Sequence, residues 1–455
     1  MRCIAGQTNR AVFRMPAILY PLAGVLHRMA YCITLTTGHL YAQNFPIVEI
    51  AHRHFINEPS IAINPSNPAN IIVGTNLNHV FISFDTGHTW QGMRMRADPY
   101  RVYGDPVVLY DTAGHAYFFS LCDGEHWLDR LLCQKSTDGG RSWPQIAHIG
   151  YAPPTDQDKE WAAYDPIRNA LYLLWTRFDD YGSKDPQDSS YILFSKSLDG
   201  GQTWTHPIRI NRIAGDCIDG DSTVEGAIPA VGPHGELYTA WAGPQGIVFD
   251  RSFDGGDSWL VHDIFVDSMP GGWAYDIPGL YRCGGLPTTL CDVSDGPYRG
   301  RIYIIWADQR HGPDNTDLWL RYSDDHGNTW SPRIRINTLG NHRHQFLPAA
   351  TIDPATGYLW IVYYDRDKAQ NSDDIATWVH LAYSTDGGQS FRHIPLTDKP
   401  FYPNPKVFFG DYIGIAAYKQ IVRAVWTHMD DDGKSRIRIA LINGHSITKV
   451  KGDKP

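Results

Sequence analysis

Ser197-Leu198-Asp199-Gly200-Gly201-Gln202-Thr203-Trp204 is the stretch from which the fold of this chain is read, because five further copies of it recur. Ser83-Phe84-Asp85-Thr86-Gly87-His88-Thr89-Trp90 is one, and the others occupy residues 136–143, 252–259, 323–330 and 384–391. All six obey S-x-D-x-G-x-[TS]-[WF] and follow one another at roughly 50 to 70 residues, the length of a propeller blade with its loops rather than of a helical repeat. In such a turn the Asp accepts backbone hydrogen bonds, the Gly takes a positive φ and the aromatic packs back between sheets. Six copies in register read as folding staples, not as catalytic carboxylates.

Between the copies lie seven sets of three short apolar strands, labelled inner, second and third from the channel outward. The expected class is therefore all-β, a propeller of seven blades with six as the alternative. An outer strand at residues 47–52 would complete the last blade and close the ring with material from both chain ends, leaving no open edge. Residues 207–223 and 261–287 are longer insertions, natural places for specificity.

The turn matches the Asp box, and the chain resembles the sialidase (neuraminidase-like, BNR-repeat) superfamily over roughly residues 57 to 443. The resemblance implies a propeller. It implies function less strongly, because Asp boxes also occur in other glycosidases, in receptors and in assembly factors.

Composition narrows the partners. With 49 acidic against 40 basic residues among 455 and a net charge of -9, the chain lacks the excess of Lys and Arg that a phosphate-backbone binder needs, so nucleic acid is not an expected partner. No apolar run reaches the ~18 residues of a transmembrane helix. Residues 1–42 differ from the rest: Arg2, Arg10 and Arg14 precede a broken apolar region, and Tyr41-Ala42 offers a small-residue cleavage site. They read as an export leader ahead of a single propeller domain, residues 43–455, which predicts a secreted or periplasmic protein. Cys122 with Cys133, and Cys283 with Cys291, lie close enough in sequence for two local disulfides, with Cys217 left over.

Strand direction selects the face where chemistry is expected. Asp boxes follow the third strands, so the starts of inner strands and the ends of second strands meet at the opposite end of the ring. The inner-strand starts carry acids: Glu58 before Pro59, Asp105 before Pro106, Glu160 after Lys159, Glu225 before Gly226 and Asp411 after Gly410. The bland reading is a repeated structural slot that caps backbone amides. The second strands end in Arg177, Arg310 and Arg366, which by convergence would clamp a carboxylate and by the bland reading would pair with the neighbouring Asp179, Asp308 and Asp365.

The sialidase resemblance implies an Arg triad for the sugar carboxylate, a Tyr nucleophile tuned by a Glu, and an Asp acid/base. Tyr412 and Glu225 occupy places like those of the family's Tyr and Glu, and Asp105 or Glu58 would protonate the leaving oxygen. Arg177, Arg310, Arg366, Glu160 and Asp411 would bind substrate. The chain departs from the family pattern at Asn57-Glu58-Pro59, where an Arg-Ile-Pro motif is expected, and at Trp241-Ala242, where the second Arg is expected. The expected function is a sialidase-like, exo-acting glycoside hydrolase for an acidic sugar other than sialic acid. The rival is a non-catalytic propeller binding a glycan or protein partner. No cofactor is required, and the acidic loops at 179–180, 373–374 and 430–432 leave structural calcium open. Oligomeric state is not encoded in these features.

Overall fold

The computed structural model describes residues 45–51, 56–220, 222–338, 340, 343–371 and 373–448. The leader lies outside them, as does His52 at the end of the expected outer strand.

Seven four-stranded antiparallel sheets account for nearly every strand. The inner strands are Ser60–Ile63, Arg101–Tyr110, Asp156–Asp165, Ala230–Val231, Thr288–Cys291, Gln345–Ile352 and Gly414–Tyr418. Blade seven takes its outer strand, Ile47–Ala51, from the start of the chain, paired antiparallel with Ser435–Asn443. A two-stranded ribbon, Ala274–Tyr275 with Cys283–Gly284, lies in the insertion before blade five. The one α-helix among the described residues, Gly444–Thr448, is a single short turn, so no helix there is long and apolar enough to cross a membrane.

The apolar core lies between blades. Seven buried clusters each join two neighbours, the last joining blade seven to blade one through Val425, Ile439, Val73 and Phe81. Second strands supply the largest members, Trp175, Trp241, Trp306, Trp360 and Trp426, all fully buried. Strands this apolar on both faces are what a sheet sandwiched between two others requires.

Each turn motif closes as its sequence suggests. In blade one, Ser83 Oγ donates to Asp85 Oδ1 at 2.8 Å and accepts Gly87 N–H at 2.8 Å, while Asp85 accepts Thr89 N–H at 2.9 Å and Thr89 Oγ1–H at 2.6 Å. Trp90 Nε1 donates to Gly87 O at 2.8 Å. The glycine is required twice over. At Gly256 φ is 86°, and a Cβ would lie 2.2 Å from the Phe194 ring of the preceding blade. Blade seven has no copy because its outer strand does not follow its third strand in the chain, so the turn that the motif builds does not exist there.

Asp85→Ala removes the acceptor of both Thr89 bonds and is expected to cost about 1 kcal/mol, the usual loss for a capping carboxylate, measured as a shift in urea midpoint. The hydrogen bonds from Thr89 hold the Asp85 carboxyl down at about 2, against an ordinary 3.8. A depressed carboxyl stabilises above its unfolded value and loses that contribution as pH falls through its folded one. The motifs should therefore weaken together between about pH 4 and pH 2.

One sequence expectation is corrected here. The five cysteines among the described residues are all free. Cys133 lies opposite Phe119 and Cys122 opposite Arg130, so the two thiols point to opposite faces of blade two, into different inter-blade cores. Cys283 and Cys291 are likewise parted, the first packing between blades six and seven and the second between four and five. The acidic loops are built as turns and ion pairs: Asp179 meets Arg177, Asp374 accepts Gln370 and Ala376 N–H, and Asp430 meets Arg438 at 2.8 Å. Among the described residues no group of three or more His, Cys, Asp or Glu is arranged to hold a metal ion.

Candidate active site at the channel mouth

Six of the seven inner strands enter the ring through a kink. Glu58, Asp105, Lys159 and Leu347 have φ of 53°, 47°, 52° and 47°, and Gly226 and Gly410 fill the same slot at 83° and 100°. Register breaks accompany the kink at Gly104/Val107, Asp158/Trp161 and Phe346/Ala349. Non-glycine residues in this region are strained, and charged ones recur where function demands it. The acids read from the sequence as one repeated slot occupy three registers: Glu58 and Asp105 at the kink, Glu160 and Asp411 one residue after it, and Glu225 one before it.

Lys159 is the hub. Its Nζ lies 3.1 Å from Asp411, 3.3 Å from Asp105 and 3.8 Å from Asp158, in a nearly buried setting. Arg282, from the insertion before blade five, donates Nε to Asp411 at 2.9 Å and reaches Asp219 at 3.4 Å. Asp219 in turn accepts the Tyr181 hydroxyl at 2.7 Å. Glu58 accepts Asp411 N–H at 3.0 Å and the Asn76 side-chain amide, whose oxygen accepts Asp105 N–H at 2.9 Å. Blades seven, one, two and three are thus tied at one point.

Charge is distributed unequally. Burial would lower Lys159, yet Asp105, Asp158 and Asp411 together hold it well above its usual range. Burial would raise Asp411, but Lys159 and Arg282 outweigh it and keep Asp411 ionised. Burial, then Asp105 and Asp411, push Glu58 well up. Burial also lifts Asp158, to about 7, against the pull of Lys159. Glu160 and Glu225 are raised well above the carboxylate range by burial, then by Asp105 for the first and by Asp219 and Asp158 for the second. The mouth therefore holds neutral carboxylic acids beside carboxylates.

Three of its groups lack partners among the described residues. Both carboxyl oxygens of Glu160 and of Glu225, and the hydroxyl of Tyr412, are buried without a hydrogen bond; Glu160 has only a poorly aligned approach to its own N–H. Burial and the neighbouring Asp105, Glu58 and Glu160 push the Tyr412 phenol well above its ordinary value. Tyr412 packs edge-on against Trp161, with centroids 5.4 Å apart. The two rings, with Lys159, Asp411, Trp273 and Leu286, line a cavity of about 180 Å³ that continues as an apolar shaft. That is below the ~300 Å³ at which drug-sized pockets begin, and suits one small ring.

Glu160→Gln tests this charge pattern. A raised carboxyl is neutral in the fold and ionised in the unfolded chain, so stability falls as pH rises above the unfolded value of 4.5. Each such group contributes a slope of about 1.4 kcal/mol per pH unit. The variant should flatten the decline between about pH 5 and 7 by one such slope, read from urea midpoints.

Four placements expected from the sequence change. Glu225 bridges to Ala242 in blade four, and after burial the groups that act on it most are Asp219 and Asp158. The three arginines do not converge, because each turns back onto partners of its own. Arg177 reaches Asp179 at 3.4 Å and lies over Tyr191; Arg310 pairs with Asp308 and, at 3.6 Å, with Asp267. Arg366 is buried over Phe346, donating to Thr377 Oγ1 and Pro278 O, with burial pulling it down to about 10. Lys159, Asp158, Arg282, Asp219 and Tyr181 were not singled out from the sequence. Asp158 and Lys159 directly precede Glu160 and could have been found from that run; Arg282 and Asp219 lie in insertions with no repeat to mark them.

Comparison with solved structures places this geometry on a known frame. A PL25 ulvan lyase superposes with a TM-score of 0.51 at 13% identity, over 88% of this chain and 96% of that one. The fold is shared. YCF48 bound to D1 peptide matches at 0.48 and 13% identity over 89% of this chain and 96% of that one, and a Hadza microbial sialidase at 0.45 and 14% over 85% and 76%. At such identity the likeness concerns the propeller and not an activity. No family model matches the chain, and no curated protein sequence does.

Proposed function

We propose that this propeller is a glycan-acting enzyme of the glycoside hydrolase type, with its reaction centre at the channel mouth. The observation that carries the reading is the concentration of unpaired ionisable groups there. A buried unpaired polar group costs about 1–3 kcal/mol, and Glu160, Glu225 and Tyr412 each accept that cost at the starts of inner strands. In this reading Tyr412 attacks the anomeric carbon while Asp105, held by Lys159, takes its proton. Glu58, kept neutral, protonates the leaving oxygen. Trp161 gives the sugar ring an apolar face.

The reacting sugar is expected to be uncharged. Lys159 and Arg282, the cations at this mouth, are both engaged by Asp411, so no guanidinium clamp waits for a carboxylate. The polysaccharide-cleaving ulvan lyase on the same fold supports a glycan as the substrate class. We place the enzyme in a secreted or periplasmic setting, where such polymers are met.

A panel of neutral and acidic oligosaccharides, with released sugar detected by mass, tests the reading. Release of a single residue from a chain end is the expected result, and no release from any member overturns it. The second reading, a non-catalytic glycan binder, is favoured by the burial of the Tyr412 hydroxyl and would appear in the same panel as retention without cleavage.

A further inference from the structure

Arg177 belongs to a second feature on the flank of the ring. A groove of about 590 Å³ runs between the outer part of blade two and blade three, lined among others by His148, Tyr151, Arg177, Tyr191, His206 and Arg209. Two guanidiniums share one ring there: Arg177 lies 4.9 Å and Arg209 4.5 Å from the centroid of Tyr191. No Asp or Glu lines the groove. Asp179 pairs with Arg177 at 3.4 Å, and Asp263 is raised by burial against a pull from Arg209, but both acids lie outside the lining. Arg209 donates Nε and Nη2 to the backbone oxygens of Asn211 and Arg212, which fixes the fork and leaves Nη1 for a ligand.

In a chain of net charge -9, two cations in a groove with no acid in its lining form a local exception. The two guanidiniums reach Tyr191 from the strands on either side of it, Arg177 opposite Tyr191 itself and Arg209 opposite Leu193, and they offer donors in the fork geometry that carboxylate and sulfate oxygens match. Tyr191 and Tyr151 add flat apolar surface of the kind a sugar ring covers. His148 and His206 add charge when protonated; burial, then Arg130, hold His148 below its ordinary value, and a bound anion would oppose that.

We infer that this groove is a glycan-binding site for an anionic sugar, one bearing a carboxylate or a sulfate, separate from the channel mouth. The choice of a sugar rests on the proposed function, whereas the choice of an anion rests on the groove alone. Acidic character excluded from the mouth by the engaged cations would then be read on the flank.

Calorimetric titration of the whole protein with a sulfated, uronate-containing tetrasaccharide, with its desulfated form and with its carboxyl-reduced form tests this. Binding should weaken about tenfold in the Arg177→Gln/Arg209→Gln double variant and fall with added salt. It should be unchanged in Arg141→Gln, an exposed arginine elsewhere on blade two. The desulfated and carboxyl-reduced arms show which anion is read. Equal weakening in Arg141→Gln would mean non-specific charge attraction and would overturn the site, as would absence of binding or an unchanged double variant. Catalysis is read separately, by sugar release, so a silent mouth with an occupied groove would reject the enzyme and keep this site.

Discussion

Lys159→Met unfolds the channel mouth first. The substitution keeps the length of the side chain and removes the cation that faces Asp105, Asp158 and Asp411. Removing one partner from a buried ion pair costs about 3–5 kcal/mol, because the charges left behind are neither solvated nor paired. Arg282 still holds Asp411, so Asp105 and Asp158 bear most of the loss. The effect should depend on pH in a definite direction. Burial already lifts Asp158 to about 7 against the pull of Lys159, and without that cation it moves further above its unfolded value, so stability is lost as pH increases and recovered as Asp158 protonates. Urea midpoints near pH 7 should therefore show the full deficit, and midpoints near pH 5 a smaller one. A variant as stable as the parent at neutral pH would mean that the cluster is solvated and that its charges do not hold four blades together.

Tyr412→Phe separates catalysis from folding. If the phenol attacks the sugar, deleting its oxygen should lower kcat by about a thousandfold while leaving KM little changed, since ring packing on Trp161 is kept. The hydroxyl is buried without a partner, so its removal should raise stability by about 1 kcal/mol rather than lower it. Loss of activity with gain of stability is the mark of a group retained for chemistry. Because burial and Asp105 hold the phenol protonated, its proton must leave as the bond forms, and Asp105→Asn should depress kcat as well. Full turnover in Tyr412→Phe would remove Tyr412 as the nucleophile and leave the catalysis to other groups.

The charge pattern also predicts an optimum. The turn motifs lose stability as pH falls below about 4, and the raised acids of the mouth lose it as pH rises above their unfolded values. The protein should be most stable between these limits, in mildly acid solution, with opposite slopes assigned to opposite ends of the ring.

What the sequence by itself determined is the ring. Its turn motifs are local, with every bond of the Asp85 turn closing within seven residues, so a linear pattern carries the whole geometry. Strand direction then places inner-strand acids away from those turns, which brings Glu58, Asp105, Glu160 and Asp411 to the mouth. Only the tertiary structure decided their partners. Lys159 and Asp411 are 252 positions apart and Arg282 and Asp411 129, and nothing in either stretch points to the other. The left-handed kink settled the rest, since one residue of offset at each strand start turns a side chain to another neighbour. It leaves Glu225 acted on most, after burial, by Asp219 and Asp158, whereas the arginines at the second-strand ends are held by acids within their own loops or by backbone oxygens.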